Sequence, residues 1–570
     1  MAEPMSSTQE TKENPDAQCT WYCPETGIYS SKHPEIQLPE NPFLDVVSHV
    51  FSYPNINGKS AFIDSLSGHS IPFSDLFSYV KSMAFGLHEM GLSKGDVVLI
   101  LMPNSIYLPI IFLGVLYLGG IVTPMNPLSS FSEVKKQILG CHANLAFCFS
   151  ENVQKLSSLG LKTIEVPQDV KISAETQKFP DFFRLISGKN IGNVSFTKPR
   201  INQDDIATIM YSSGTTGASK GVILTHRNLI AMVELFVRFE ASQYKEMKSH
   251  ENVCLAVLPM FHIYGLALFV FGLLSLGTSV VVMRKFDKNQ VVEVINKYKV
   301  THFPVVPPLL AILIAKAKSL SDCGSVSLSG LCSLKQVSCG AAPVTNKVIA
   351  DFLDTYPGVD FIQGYGMTES TAVGTRGFNV IGKTHKYTSV GLLAPNMEAK
   401  VVKCNTGSSM PPGEVGELLL RGPGVMKGYL NNEAATKLTI DEEGWLHTGD
   451  IAYFDLEGYL YIIDRLKDII KYKGFQIAPA DLEGILMSHP DILDVAVTGI
   501  ADEGAGEIPV AFVVKRHGCL LSKDEVVKYV ANAVAPHKKV RKVVFVTSLP
   551  KSAAGKLLKR QLRNFQISKL

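Results

Sequence analysis

The sequence contains little tryptophan and cysteine and has almost no net charge. Its 570 residues include only 2 Trp and 10 Cys, and 55 Lys and Arg nearly balance 52 Asp and Glu. The cysteines are scattered and form no C-x-x-C pair, so we expect a reduced intracellular protein without a zinc site. A net charge of +3 gives no argument for a nucleic-acid partner.

Segments that would target the chain to a membrane are also scarce. The first eighteen residues are polar and lack the apolar core of a secretory signal, and they do not resemble a transit peptide. Residues 266–283 carry no charge, and this uncharged run is as long as a membrane span. Glycines interrupt this run and SVVV at 279–282 is typical of a strand, so we predict a buried helix and strand and no transmembrane segment.

Apolar residues are plentiful, at 46% of the chain, which is enough for large cores. The length exceeds the roughly 250–300 residues at which one core stops growing, so we expect at least two domains. From residue 96 onward, short apolar runs such as 97–101 and 121–123 alternate with helical stretches. One helix is expected to begin with a capping box formed by Ser130 and Glu133. This alternation predicts parallel sheets covered on both faces by helices.

The pattern changes after residue 388, where glycines separate short β runs and favour a small antiparallel β-structure. A charged segment follows at 464–468, and then a compact basic α+β tail. We therefore predict an α/β fold with a large N-terminal domain of parallel sheets plus the small β-structure, followed by a small α+β C-terminal domain. The predicted boundaries are a mostly disordered or extended lead-in at 1–40, the large domain at 41–464 and the small domain at 465–570.

A loop rich in glycine and hydroxyl groups, YSSGTTGASKG, occupies residues 211–221 between a predicted strand and a helix. Its glycines let the backbone approach a phosphate, its hydroxyls donate, and Lys220 supplies positive charge. It is not a Walker A loop, because Gly221 rather than Ser or Thr follows Lys220. The predicted phosphate-binding residues are Ser212, Ser213, Gly214, Thr215, Thr216, Gly217 and Lys220.

Five motifs in order resemble those of the adenylate-forming enzymes, which include acyl-CoA synthetases, luciferases and peptide-synthetase adenylation domains. They are the loop above, QGYGMTES at 363–370, WLHTGD at 445–450, DRLK with KYKGFQ at 464–476, and PKSAAGK at 550–556. The segments FHIY at 261–264 and GAAP at 340–343 are most similar to plant 4-coumarate–CoA ligases and their relatives. The resemblance implies an AMP-forming acid–thiol ligase that uses ATP, Mg²⁺ and coenzyme A, with a mobile small domain hinged at Lys467.

The resemblance also assigns roles to individual residues. The ATP- and AMP-binding set gains Gln363, Gly364, Tyr365, Thr368, Asp450 and Arg465. The catalytic residues are Lys556, Lys471, Gln476 and His262, and the CoA contacts are Lys473 and Gly474. The acyl pocket is lined by His262, Tyr264, Gly265, Leu268, Gly340, Ala341, Gly364 and Gly366.

The residue types suit this chemistry, in which the carboxylate attacks the α-phosphorus of ATP and pyrophosphate leaves. The product is a mixed anhydride, from which AMP is the leaving group in the next step. Such a reaction depends on positioning and charge neutralisation. Glu369 offers a hard oxygen ligand to Mg²⁺. Asp450 can accept both ribose hydroxyls, and Lys556 can stabilise the charge that develops in the transition state.

The acid substrate and the exact activity remain open at this point. The segment 265–269 is apolar, which leaves fatty or oxylipin acids as alternatives to hydroxycinnamates. A luciferase-like oxygenase is a further alternative. A peptide-synthetase module is disfavoured because the sequence stops soon after Lys556. A non-catalytic adenylate binder is disfavoured by the presence of Lys556, Glu369 and Asp450.

The C-terminal end combines positive charge with a short targeting sequence. No Asp or Glu occurs between residues 536 and 570, and this basic surface suits the phosphates of CoA. The chain ends in Ser568, Lys569 and Leu570, a tripeptide that peroxisomal import receptors recognise. We therefore expect the import receptor as a partner and the peroxisome as the location.

Overall fold

In the computed structural model, four β-sheets organise the described part of the chain. The structure describes residues 21–53, 58–168, 179–187, 197–212, 219–244, 248–322, 331–378, 385–473, 475–502, 505–552, 557–559 and 561–563. Among the predicted site residues, Ser213, Gly214, Thr215, Thr216, Gly217, Gly474 and Lys556 lie outside the described residues, as does the C-terminal tripeptide.

Two large, mainly parallel sheets carry most of the core. In spatial order, the seven-stranded sheet comprises Gly428–Tyr429, Lys220–Thr225, Ile206–Ser212, Ile121–Pro124, Val97–Leu101, Ala143–Cys148 and Lys162–Glu165. The nine-stranded sheet comprises Leu392–Leu393, Thr375–Arg376, Asp360–Tyr365, Gln336–Cys339, His302–Val305, Val253–Ala256, Ser279–Val282, Ser60–Asp64 and Ser70–Pro72. Their central strands are parallel. Antiparallel pairings occur at both edges of the nine-stranded sheet and at one edge of the seven-stranded sheet, whose other edge, Ala143–Cys148 with Lys162–Glu165, is parallel.

Two further sheets follow the change of pattern seen in the sequence. The antiparallel six-stranded sheet comprises Tyr22–Cys23, Ile28–Ser30, Glu398–Val402, Gly416–Arg421, Leu446–Phe454 and Leu460–Arg465. The C-terminal sheet comprises Phe475–Ile477, Ile470–Tyr472, Gly506–Lys515 and Ile492–Asp502, with Lys542–Phe545 parallel to Gly506–Lys515. The C-terminal sheet has its own apolar core around Ile470, Leu482 and Val513.

Helices cover the sheets. The α-helices are Val46–Phe51, Phe73–Glu89, Leu108–Tyr117, Phe131–Cys141, Ser150–Ser157, Pro180–Ile186, His226–Met232, Phe239–Gln243, Ile263–Gly265, Leu273–Ser275, Val291–Tyr298, Pro307–Asp322, Asn346–Thr355, Glu433–Thr439, Pro479–Met487 and Lys523–Ala533. Short 3₁₀ turns occur at Ser249–Glu251, Thr368–Ser370 and Pro536–Lys538. The capping box predicted at Ser130 and Glu133 is present.

Two π-helical stretches, Val233–Arg238 and Leu266–Gly272, pack against each other. A Cβ atom at Gly272 would overlap the side chain of Val237, so glycine permits this close approach. π-Helical turns are rare and often occur at functional sites. The first stretch ends directly before the helix Phe239–Gln243. The second stretch begins two residues after the predicted pocket residue Tyr264.

The predicted α/β fold is confirmed, as is the buried helix and strand at 266–283. Within the described part of the chain, no helix has both the length and the apolar character needed to cross a membrane. The predicted lead-in at 1–40 packs into the antiparallel six-stranded sheet from Trp21 onward, and Tyr29 is fully buried there. The domain boundaries at 40 and 464 stay predictions.

Candidate active site

Glu369 lies where the seven-stranded and nine-stranded sheets meet. It occupies the 3₁₀ turn that follows the strand Asp360–Tyr365, and only 6% of its surface is exposed. Ser212 Oγ donates to Glu369 Oε1 at 2.9 Å, and the hydroxyl of Tyr429 donates to the same oxygen at 3.1 Å. Two donors on one oxygen fix the orientation of the carboxylate.

This carboxylate fits the predicted role as a magnesium ligand. Mg²⁺ bound together with a nucleotide usually takes one or two protein carboxylates and completes its shell with phosphates and water. The described residues contain no group of three or more His, Cys, Asp or Glu that could hold a metal ion without such help. The oriented Glu369 carboxylate has the ligand chemistry that such a nucleotide-bound Mg²⁺ would need.

Tyr429 was missed by the sequence analysis. Besides its hydrogen bond to Glu369, its ring lies 4.7 Å from Lys220 Nζ, a cation–π distance. The strand Gly428–Tyr429 pairs with Lys220–Thr225, which brings the two residues together across about two hundred positions of the chain. No local motif marks Tyr429, because only this long-range strand pairing gives it a role.

Asp450 is a buried carboxylate that makes one hydrogen bond and one ion pair. Its Oδ2 accepts from the hydroxyl of Tyr365 at 2.7 Å, and its Oδ1 lies 2.9 Å from Arg465 Nε. Asp450 and Arg465 are register partners in adjacent strands, whereas Tyr365 ends a strand of another sheet. Burial and the neighbouring Asp450 carboxylate raise the pKa of Tyr365 well above its ordinary value, so the phenol stays protonated and donates.

Gln363, the first residue of the QGYGMTES motif, lies beside a small cleft that is open to solvent. Its side-chain amide donates to the carbonyl of Tyr387 at 2.6 Å, so the protein itself holds this side chain. The cleft is lined by Gln363, Gly377, Phe378, Tyr387, Ser389 and Tyr459, and it does not include the predicted acyl-pocket residues Tyr264, Gly340 and Gly364.

Three predicted acyl-pocket residues come together around Gly340. A Cβ atom at Gly340 would lie 3.4 Å from the ring of Tyr264 and 3.4 Å from the carbonyl oxygen of Gly364. The Tyr264 hydroxyl lies 3.4 Å from Ser338 Oγ, a residue that was not predicted. The absence of a side chain at Gly340 therefore keeps open the space that these groups face.

The remaining predicted pocket residues differ in character. A Cβ atom at Gly265 would overlap the carbonyl of Pro259, and one at Gly366 would lie 2.6 Å from the carbonyl oxygen of Ala372. Both glycines are therefore needed so that two backbone segments can pack closely. Leu268 lies in the second π-helical stretch and is buried. Ala341 has a φ of +70°, in the left-handed region. Burial lowers the pKa of His262 to about 4, so its imidazole is neutral near pH 7.

Lys467 is exposed in the turn that joins the last strand of the antiparallel six-stranded sheet to the C-terminal sheet. Lys471 is exposed on the next strand, in register with Gln476, and its backbone N–H donates to Glu507 at 2.8 Å. Lys473 is exposed and has a φ of +47°. These positions suit a hinge and a face that can turn toward the site.

Ion pairs hold both flanks of the segment that carries Lys556. On one side Lys551 Nζ lies 2.5 Å from Asp494 Oδ2. On the other side Lys559 Nζ lies 3.0 Å from Glu483 Oε1, and 11% of the Lys559 side chain is exposed. Burial alone would lower the pKa of Lys559, but Glu483 and Asp464 raise it above its ordinary value, so the amine stays charged.

The fold and this site define a nucleotide-dependent enzyme with a separate C-terminal unit. The chain belongs to the family of AMP-binding enzymes: residues 55–430 match the model for that family, and residues 481–556 match the model for its C-terminal domain.

Named relatives narrow the class. The chain is 57% identical to 4-coumarate–CoA ligase-like 6 of Arabidopsis thaliana, over 98% of this chain and 96% of that protein. It is 41% identical to the peroxisomal OPC-8:0-CoA ligase 1 of the same plant, over 95% and 96%. The o-succinylbenzoate CoA synthetase of Bacillus subtilis, solved with its acyl-adenylate intermediate, superposes with a TM-score of 0.73 at 26% identity, over 91% and 98%.

These comparisons confirm the predicted family and the predicted enzyme class, an AMP-forming acid–thiol ligase that joins a carboxylic acid to CoA through an acyl-adenylate. The roles of the individual site residues stay predictions.

Proposed function

We propose that the protein ligates CoA to 4-coumarate or a related hydroxycinnamate, in two steps at one site. The observation that carries this choice is the hydroxyl of Tyr264, which lies beside Ser338 at the wall of the predicted acyl pocket. A ring hydroxyl can join the hydrogen bond that these two hydroxyls make with each other, whereas an alkyl chain offers them no polar partner.

The residues of the site divide the first step among them. Lys220 and the loop that precedes it would hold the β- and γ-phosphates of ATP, Thr368 the α-phosphate, and Asp450 the ribose. Glu369 would hold Mg²⁺, which supplies charge neutralisation at the phosphates when it is bound. His262, being neutral, can orient the substrate by a hydrogen bond without adding a charge.

In the second step the thiol of CoA attacks the acyl-adenylate and AMP leaves. A thiol with a pKa of about 8.5 is partly ionised at neutral pH and is intrinsically nucleophilic, so positioning suffices. Lys473, Gly474 and the basic C-terminal surface would contact CoA. Gln476 would face the adenylate together with Lys471, its register partner.

A fatty or oxylipin acid is the second candidate substrate. Leu266, Ala267 and Phe269 are fully buried, so the segment that follows Tyr264 is closely packed and apolar. This chain is also 41% identical to the OPC-8:0-CoA ligase of Arabidopsis.

A panel of acids distinguishes the two candidates. Hydroxycinnamic, medium-chain fatty and cyclopentanone-alkanoic acids are offered with ATP and Mg²⁺, and consumption of CoA is measured. The highest kcat/KM is expected for a hydroxycinnamate. A higher value for either aliphatic class would replace the proposed substrate with that class.

Leu268→Ser is expected to weaken aliphatic acids more than hydroxycinnamates. If Leu268 lines the pocket, the change removes apolar contact worth about 1–3 kcal/mol and adds a hydroxyl that an alkyl chain cannot pair. The kcat/KM values for octanoic and 4-coumaric acid are compared before and after the change. Equal losses for both acids would show that Leu268 does not line the pocket.

We also propose that the protein resides in peroxisomes, addressed by its C-terminal tripeptide. Removing Ser568, Lys569 and Leu570 is expected to leave ligase activity unchanged and to move an N-terminally tagged protein to the cytosol, because a receptor reads the tripeptide. Microscopy of the tagged protein in cells that lack the intact copy gives the answer. Continued import of the truncated protein would contradict the assignment.

A further inference from the structure

A buried charged pair lies beside Gly364, one of the predicted acyl-pocket residues. Arg376 is 5% exposed, and its strand pairs with the strand of Gly364. A Cβ atom at Gly364 would lie 2.8 Å from Arg376 Nη1, so the guanidinium passes directly over the Gly364 backbone. Gly364 in turn faces Gly340 and, through it, the ring of Tyr264.

Glu240 forms an ion pair with Arg376 inside the protein. It lies on the helix Phe239–Gln243, which continues the first π-helical stretch, and the Arg376 guanidinium lies 5.1 Å from the ring of Phe236 on that stretch. Burying a charge is costly unless it is paired and hydrogen-bonded. Arg376 also forms a hydrogen bond with the Tyr264 hydroxyl. A guanidinium has five N–H donors, more than one carboxylate and one hydroxyl accept here, so Arg376 retains capacity for another acceptor.

The position of the pair relative to the nucleotide residues is set by the strands. Tyr365, Thr368 and Glu369 lie at or beyond the carboxyl end of the strand Asp360–Tyr365. Ser338 precedes Gly340 by two residues on the neighbouring parallel strand, which places it roughly 7 Å back into the fold. A substrate with its carboxylate at the nucleotide would therefore extend past Gly340 and Gly364 toward Tyr264, Ser338 and Arg376.

We propose that Arg376, with its counter-ion Glu240, determines specificity by binding a neutral oxygen group at the end of the acyl substrate remote from the carboxylate. This inference rests on the proposed function. The pair has no net charge, so a hydroxyl or a carbonyl fits, whereas a second carboxylate would add an unpaired buried charge. A hydroxyl can accept from Arg376 or Tyr264 and donate to Glu240, and a carbonyl can only accept.

Matched acids that differ only in the remote oxygen test the proposal. Cinnamic acid is compared with 4-coumaric acid, and octanoic acid with 8-hydroxyoctanoic acid, by kcat/KM for thioester formation. The wild-type protein is expected to prefer the oxygenated member of at least one pair by about 10–100-fold, because the analogue leaves buried polar groups unpaired.

Arg376→Met combined with Glu240→Leu removes the pair without leaving a single buried charge. This double variant is expected to reduce the preference to less than about threefold while it keeps activity on the acids that lack the oxygen. Arg238→Met is the matched control. Arg238 lies on the first π-helical stretch and pairs with Glu234 at 3.4 Å, and its substitution is expected to leave the preference unchanged.

If the double variant does not fold, as judged by its thermal melt, Arg376→Lys provides the same test, because it keeps the charge and loses the planar fork of donors. A reduced preference in that variant supports the proposal. An unchanged preference in a folded variant, or a wild-type protein that ligates both members of each pair equally, overturns it. A wild-type protein that activates none of these acids overturns the proposed function as well.

Discussion

Lys556→Ala is expected to abolish formation of the acyl-adenylate and largely to spare transfer of a pre-formed acyl group to CoA. In the proposed adenylating orientation, Lys556 bridges the substrate carboxylate and the α-phosphate, where charge develops in the transition state. Losing one such preorganised charge costs about 10²–10³-fold in rate. In the proposed mechanism the second half-reaction would not use this charge, because the small domain would then have turned away.

Lys471→Ala is expected to do the reverse, leaving pyrophosphate release in place while thioester formation collapses. The structure supports an alternating arrangement in two ways. Lys471 is exposed beyond the exposed turn at Lys467, which joins two sheets with separate cores. The ion pairs of Lys551 and Lys559 hold the flanks of the Lys556 segment to the C-terminal sheet and the adjoining helix Pro479–Met487, so that segment would move with them.

Two single-turnover assays on each variant separate the half-reactions: ATP with acid, and synthetic acyl-adenylate with CoA. Lys528→Ala is the control, because this exposed lysine lies on the same C-terminal unit in the helix Lys523–Ala533, away from both proposed faces. Equal loss of both half-reactions in both variants would show that the two lysines do not serve alternate orientations of the domain.

Most of the fold could be predicted because its strongest signals are local. Buried parallel strands such as Val97–Leu101 are continuous apolar runs, and the capping box at Ser130 and Glu133 involves residues only three apart. The π-helical geometry of Leu266–Gly272 could not be predicted. It depends on packing against Val233–Arg238, and the period of an apolar run does not show which hydrogen-bond register its backbone adopts.

The candidate site divides in the same way. Glu369, Asp450 and Tyr365 stand in motifs, and the structure places Tyr365 and Asp450 within one hydrogen bond of each other. Tyr429 and Arg376 stand in no motif, and strand pairings place them beside Lys220 and Gly364. The apolar segment at 265–269 suggested an apolar pocket, because the sequence did not show that the ion pair of Arg376 and Glu240 lies beside Gly364.

Asp450→Asn is expected to weaken ATP binding by about 10²-fold. The carboxylate offers about four lone-pair sites, of which Tyr365 and Arg465 use two, so two remain for the ribose hydroxyls. An amide keeps one acceptor oxygen and presents an N–H₂ group to donors. Each hydrogen bond to a charged group contributes about 1.5–3 kcal/mol, so weakening two of them accounts for a loss of this size.

Deoxynucleotides show whether the loss arises at the ribose. The wild-type protein is expected to bind 2′-deoxy-ATP and 3′-deoxy-ATP more weakly than ATP, whereas Asp450→Asn should bind all three with similar low affinity, as expected for coupled partners in a double-mutant cycle. Asp455→Asn is the matched control, because Asp455 follows the same strand and pairs with Lys386 at 2.7 Å. If the Asp450 variant still distinguishes ATP from its deoxy forms as strongly as the wild type does, Asp450 does not bind the ribose and serves only to join Tyr365 to Arg465.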